Sequence, residues 1–191
     1  MSATPADRAH LLGLYARTDD PWDFRGSASE AARMAAVVDA LPRPRYRSAL
    51  ELGCGNGELA RRIAPRCAAY VGLDAVPAAL AAARAAVPAA RFVEGFLPCP
   101  LPGRDHDLVL LSEVLYFLGP DDVAALAARI DRDSPGADLV VSAWTGPTGH
   151  ALDGAAAVAA FARATRRAGR RAAATAEHRV TVFAPLRAAA P

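Results

Sequence analysis

The stretch Ala49-Leu50-Glu51-Leu52-Gly53-Cys54-Gly55-Asn56-Gly57-Glu58-Leu59-Ala60 runs from an apolar strand pattern through three alternating glycines into a helical pattern. A strand, a tight turn and a helix start in that order form the usual seat of a nucleotide-type ligand in an α/β domain. Glycines there let the backbone approach a ligand with no Cβ in the way. Counting from Gly53 narrows the ligand. The dinucleotide pattern G-x-G-x-x-G/A puts its third small residue at position 58, which is Glu58; the third glycine comes one residue early, at Gly57. A G-x-x-x-x-G-K-[ST] phosphate loop is absent, and the chain has no Lys to complete one. Asp74, 21 residues after Gly53, ends the next strand pattern. A carboxylate at that point can accept both hydroxyl hydrogens of a ribose, which favours an adenosine ligand with free 2′ and 3′ hydroxyls.

Outward from this stretch, strands and helices alternate. Strands are predicted at Ser48–Leu52, Ala69–Leu73, Ala90–Val93, Asp107–Leu111 and Asp138–Trp144. A short helix is predicted at Leu11–Arg17 after a poorly ordered start (1–9). The next is capped by Ser27 or Ser29, puts Met34, Val37, Val38 and Leu41 on one face and stops before Pro42-Arg43-Pro44. Further helices are expected from Gly57 to Ile63, from Pro77 to Ala86, and from Gly119-Pro120 to about Ile130. The last runs from Asp153 to Ala168, with Gly169 as its C′ residue, and Arg170–Leu186 reads as extended. Such alternation implies an α/β fold, a mostly parallel sheet with helices on both faces. No repeat or composition break divides residues 1–191, so a single domain is expected, with 1–45 as an N-terminal helical segment or lid.

Composition excludes several classes. All 22 basic residues are Arg, and the net charge is +2, which gives no reason to expect nucleic acid as the partner. Three cysteines without a C-x-x-C pair argue against a disulfide framework or a zinc site. Asp105-His106-Asp107 and Asp131-x-Asp133 read as strand-start and turn residues, so no metal is expected. The beginning of the chain has no apolar signal-peptide core, and no run is long enough for a bilayer span. The expected setting is the cytoplasm. Arg166, Arg167, Arg170 and Arg171 read as solvated charges at a helix C-terminus.

Three segments together resemble a family: Leu50–Gly57 with Asp74 and Asp107-Leu108-Val109; Asp20-Pro21-Trp22-Asp23-Phe24 with Glu30; and Ser112-Glu113-Val114-Leu115-Tyr116-Phe117-Leu118. The first set is similar to class I S-adenosylmethionine-dependent methyltransferases, of Rossmann-like fold. The other two are similar to the NodS group, the nodulation N-methyltransferases that methylate the amino sugar of chitooligosaccharides. The resemblance implies S-adenosylmethionine as cofactor, held by Glu51, Gly53, Cys54, Gly55, Gly57, Asp74, Phe96 and Ser112, with Trp22 as an anchor or a cover. Glu51 orders the glycine loop, and Phe96 supplies apolar contact to adenine. The family closes its sheet with a two-strand hairpin, whose turn would fall at Glu177-His178-Arg179.

Methyl transfer from a sulfonium is an in-line displacement in which positioning does most of the work. An amine acceptor must also be unprotonated, and a carboxylate can take its proton or offset its developing charge. Glu113, just past the fourth strand at the carboxyl edge of the sheet, is the candidate catalytic residue, although a first-turn helix carboxylate is the plain alternative. His150 is a second candidate base or acceptor contact, while Tyr116, Tyr15 and Trp144 either line the site or pack in the core. The expected reaction is methyl transfer to a small-molecule or saccharide acceptor, foremost an amine nitrogen. An O-methyltransferase, an NAD-type oxidoreductase and a non-catalytic binding module are the alternatives.

Overall fold

A computed structural model of the chain describes residues 8–186. Residues 1–7, part of the segment expected to be poorly ordered, lie outside that range; Arg8 and Ala9 belong instead to the first helix. The elements are α1 (Arg8–Leu14), α2 (Ala28–Asp39), β1 (Tyr46–Leu52), α3 (Glu58–Ile63), β2 (Cys67–Asp74), α4 (Pro77–Ala86), β3 (Arg91–Glu94), β4 (Leu108–Ser112), α5 (Pro120–Asp133), β5 (Asp138–Trp144), α6 (Gly154–Ala164), β6 (Gly169–Ala174) and β7 (His178–Phe183). The strands form one sheet in the order β3-β2-β1-β4-β5-β7-β6. Strands β1 to β5 pair in parallel, and β7 pairs antiparallel with both β5 and β6.

Side-chain alternation along the strands divides the core into two layers. Leu50, Leu52, Val109, Leu111, Leu139 and Val141 face α5 and α6, where Leu126, Ile130 and Phe161 meet them. Ala49, Leu108, Leu110 and Val140 face α2, α3 and α4, which supply Met34, Val37, Ile63 and Leu80. Strands buried on both faces read as continuous apolar runs, and β4 and β5 do so. Strand order reverses between β1 and β4, which opens a crevice at their carboxyl ends. No helix among the described residues is long and apolar enough to cross a membrane.

Several expectations need correction. Helix α1 ends at Leu14 rather than Arg17, and the chain turns there so that Tyr15 is buried. Helix α6 stops at Ala164, not Ala168. The cause lies in α5, where buried Asp131 accepts hydrogen bonds from Thr165 Oγ1 (3.0 Å), the Arg166 N–H (2.8 Å) and Arg167 Nε (2.7 Å). That carboxylate takes the Arg166 amide, and Thr165 Oγ1 takes the Arg167 amide, so neither is left for a further helical turn. Asp131 is therefore not a turn residue, and Arg167 is not solvated: its side chain is 0% exposed and also donates to Ser134 O at 2.7 Å. Gly169 is no helix cap. It opens β6 under the Phe183 ring, which a Cβ there would meet at 2.6 Å. The closing hairpin is complete, but it turns at 175–177 and leaves His178 inside β7. His106 packs at the foot of β4, with Nδ1 2.8 Å from Ser48 Oγ, and Asp107 accepts from the N–H groups of Arg47 (2.9 Å) and Ser48 (2.7 Å).

Candidate functional site

The glycine turn at the end of β1 has left-handed backbone at Gly53 (φ +76°), Gly55 (φ +52°) and Gly57 (φ +83°), a conformation that side chains other than glycine pay to adopt. A Cβ on Gly57 would lie 2.9 Å from the Ala83 backbone, so α3 and α4 can close only over glycine. The N–H groups of Gly53 and Cys54 donate to Leu73 O at 2.8 and 3.1 Å. Asp74 completes the loop's anchorage: Oδ2 accepts the Gly55 N–H (2.8 Å) and Oδ1 the Val76 N–H (3.0 Å). Burial pushes its carboxyl above the ordinary range against the pull of those donors. It still lines an inner pocket with Tyr15, Trp22, Gly53, Phe96 and Phe117. Trp22 and Phe96 are each 38% exposed at its rim.

Beneath the loop a second recess is lined by Phe24, Arg33, Glu51, Asn56, Ser112 and Glu113. Glu51 is buried and accepts from Tyr70 Oη at 2.6 Å. Cys54 packs behind the loop against Gly72, and burial pushes its thiol up. Ser112 Oγ accepts from the Arg33 guanidinium. Among the described residues, Asn56 has both side-chain polar atoms buried without a partner, and only 3% of the residue is exposed. Orphaned amide atoms there, beside a buried guanidinium, fit a small zwitterionic ligand group carrying a carboxylate.

Glu113 stands where the two recesses meet an outer cleft. Its backbone is left-handed (φ +56°), so the chain leaves β4 with the carboxylate turned back towards β5. Oε1 accepts from Ser142 Oγ (2.7 Å), and Oε2 accepts from the Trp144 N–H (2.7 Å) and Tyr116 Oη (3.1 Å). His150, in the loop after β5, has no hydrogen bond to Glu113; Tyr116 lies between, its ring stacked 6.2 Å from the imidazole. Burial, then the His10 charge, lowers the His150 pKa. Trp22 packs on Tyr15, Phe24 and Phe117 at 5.5, 5.7 and 6.4 Å between ring centroids, joining the N-terminal segment to the site. The structure thus gathers Glu51, Gly53, Cys54, Gly55, Asp74, Phe96, Ser112, Glu113 and Trp22 around one crevice, leaves Gly57 outside its lining at the start of α3, and puts His150 on its outer wall.

Residues 49–133 match the family model described as a methyltransferase domain. The chain resembles S-adenosylmethionine-dependent methyltransferases. It is 27% identical over 157 residues to nodulation protein S of Sinorhizobium fredii, a match that covers 80% of this chain and 68% of that protein. With the trans-aconitate 2-methyltransferase of Methylobacterium radiotolerans it shares 35% identity over 131 residues, covering 67% of this chain and only 46% of that one. The N-methyltransferase NodS of Bradyrhizobium japonicum, solved with S-adenosyl-L-homocysteine, has the same fold at 18% identity; its TM-score is 0.79, covering 93% of this chain and 98% of that one. A Pseudomonas syringae protein solved as a candidate methyltransferase shares 29% identity with a TM-score of 0.71, over 82% of this chain and 99% of that one.

Arg33, Asn56 and His178 were not singled out from the sequence. Arg33 gives one local signal, a charge beside Met34 on the buried face of α2. Asn56 looks like an ordinary turn residue, and His178 is hidden by the misplaced hairpin turn.

Proposed function

We propose that this chain transfers a methyl group from S-adenosylmethionine to the nitrogen of an amine-bearing small molecule, foremost an amino sugar. One observation carries the choice of nitrogen. The outer cleft is lined by Glu30 and Glu113 among Trp22, Phe24, Tyr116, Phe117 and Trp144; among the described residues its lining holds no Arg, and its basic side chains are His10, His150 and His178. A tricarboxylate such as trans-aconitate would meet carboxylates there with no permanently charged side chain in the lining to pair with. An amine finds hydrogen-bond acceptors and aromatic faces.

On this reading Asp74 holds the ribose, Phe96 and Trp22 flank the adenine, and the glycine loop with Arg33 and Asn56 holds the amino-acid end of the donor. Bound, that donor supplies an electrophilic methyl on a sulfonium. The chain does the rest by placement. Glu113, fixed by Ser142, Trp144 and Tyr116, keeps a negative charge beside the reacting groups and sets the aromatic wall behind them. Residues 8–26 cover the crevice as a lid that keeps water out, and His150 contacts the acceptor from the outer loop. The chain works as one domain in the cytoplasm, where its three thiols stay reduced.

Calorimetry with S-adenosylhomocysteine should show binding that Asp74→Ala weakens at least ~10-fold, the loss of a charge-assisted hydrogen bond. A methyl-transfer screen over amino sugars, simple amines, phenols and tricarboxylates should find amines preferred. Preference for the tricarboxylates would overturn the reading.

A further inference from the structure

Glu30 lies in the first turn of α2, which Ser27 caps. Its Oε2 takes both Arg33 Nε (2.7 Å) and a terminal Arg33 nitrogen (2.6 Å). Its Oε1 faces His178 Nε2 at 3.4 Å. The His178 imidazole is buried in β7, with its ring 5.2 Å from the Trp144 indole and its Nδ1 3.4 Å from Thr175 Oγ1. The Ser29 hydroxyl donates to Glu177 at the hairpin turn, so the start of α2 is fastened to the same hairpin. Glu30 is consequently held from both sides, and it lines the outer cleft as His178 does. Burial pushes its carboxyl up, but the His178 contact and the Arg33 charge outweigh that and hold it below the ordinary range.

The charges do not balance. Glu30 and Glu113 are 14% and 11% exposed in their side chains and share one guanidinium, Arg33, which lies 4.0 Å from Glu113 Oε1. With the His178 imidazole neutral, two carboxylates against one guanidinium leave a net negative charge in a largely dry, aromatic-walled cleft. A cation would complete it.

Building on the amine reading above, we infer that Glu30, fixed by His178 and Arg33, is the acceptor-binding carboxylate that receives the cationic nitrogen. The bound ammonium first gives one proton to solvent; the freed nitrogen lone pair then forms the new N–C bond and the C–S electron pair stays on sulfur. The positive charge therefore moves from sulfur to nitrogen. A carboxylate that stays ionised is a poor proton acceptor and a good counter-charge, so Glu30 stabilises that developing charge.

The probe is tetramethylammonium, which has the charge and cannot be methylated. The full chain, saturated with S-adenosylhomocysteine, should bind it in calorimetry. Glu30→Gln should weaken that binding at least tenfold and lower kcat/KM for an amine acceptor at least tenfold. S-adenosylhomocysteine affinity is measured for each variant, because Glu30 also fixes Arg33, and every tetramethylammonium titration is run at a concentration that saturates that variant. Glu30→Asp, which keeps the charge, should recover part of both losses, and it replaces Glu30→Gln if that variant does not fold. Unchanged tetramethylammonium binding or unchanged amine turnover in Glu30→Gln would overturn the inference alone. A wild-type chain that methylates hydroxyls or carboxylates but no amine would instead overturn the amine reading on which it rests.

Discussion

Glu51 is a carboxylate whose burial shifts its proton affinity. It sits fully buried two places before Gly53, accepts from Tyr70 Oη, and is pushed up to about 8 by burial, with Tyr70 and Arg33 pulling down and Asp74 pushing up. Its folded pKa lies above its unfolded one, so the stability it contributes is complete below the ordinary carboxylate range. That contribution is lost as pH rises through about 8. A tenfold change in proton affinity between the folded and unfolded chain corresponds to about 1.4 kcal/mol, so a pH-dependent loss of a few kcal/mol is expected. In thermal melts, wild type should lose Tm between pH 5 and 9 relative to Glu51→Gln; parallel melting curves would show that Glu51 ionises normally. At this scale the sequence was legible wherever chemistry is local. Gly53, Gly55, Gly57 and Asp74 announce a ligand turn by spacing alone. Glu30 and His178 stand 148 positions apart and meet only through the fold, so no spacing rule could join them.

At the scale of elements, α4 and β5 have the bounds their patterns predict, because Pro77 starts one and a turn precedes the other. The failure at α6 has the opposite cause. An Ala-rich run carries helix propensity past Ala164, but Asp131 on α5 stops it from outside. The same carboxylate and Arg167 clamp the closing hairpin to α5. Removing one partner of a buried ion pair typically costs ~3–5 kcal/mol, so Arg167→Ala should lower unfolding free energy by about that much in urea titration. Faster hydrogen exchange in β6 and β7 should accompany it. S-adenosylhomocysteine affinity should hold, since the donor recesses lie elsewhere along the sheet edge; a comparable loss of affinity would mean that the clamp reaches further than its contacts.

For the whole molecule, the donor recesses are built mostly from residues 49–133, while the outer cleft draws on α1, α2 and the segment from Trp144 to His178. The proposed lid makes this separation measurable. Adding S-adenosylhomocysteine should slow amide exchange across residues 8–26, and Trp22→Ala should speed its dissociation several-fold. Exchange in that segment indifferent to the ligand would rule out a cover. The crevice itself was legible from the βαβ alternation. The partition of its walls was not, because it depends on where the hairpin lands.

That landing ties acceptor choice to inheritance. Glu30 is contributed before the glycine strand and His178 after the last helix, so the proposed acceptor contact is encoded on either side of the stretch that carries the glycine turn. A lineage built this way can keep its methyl donor and still change what it methylates.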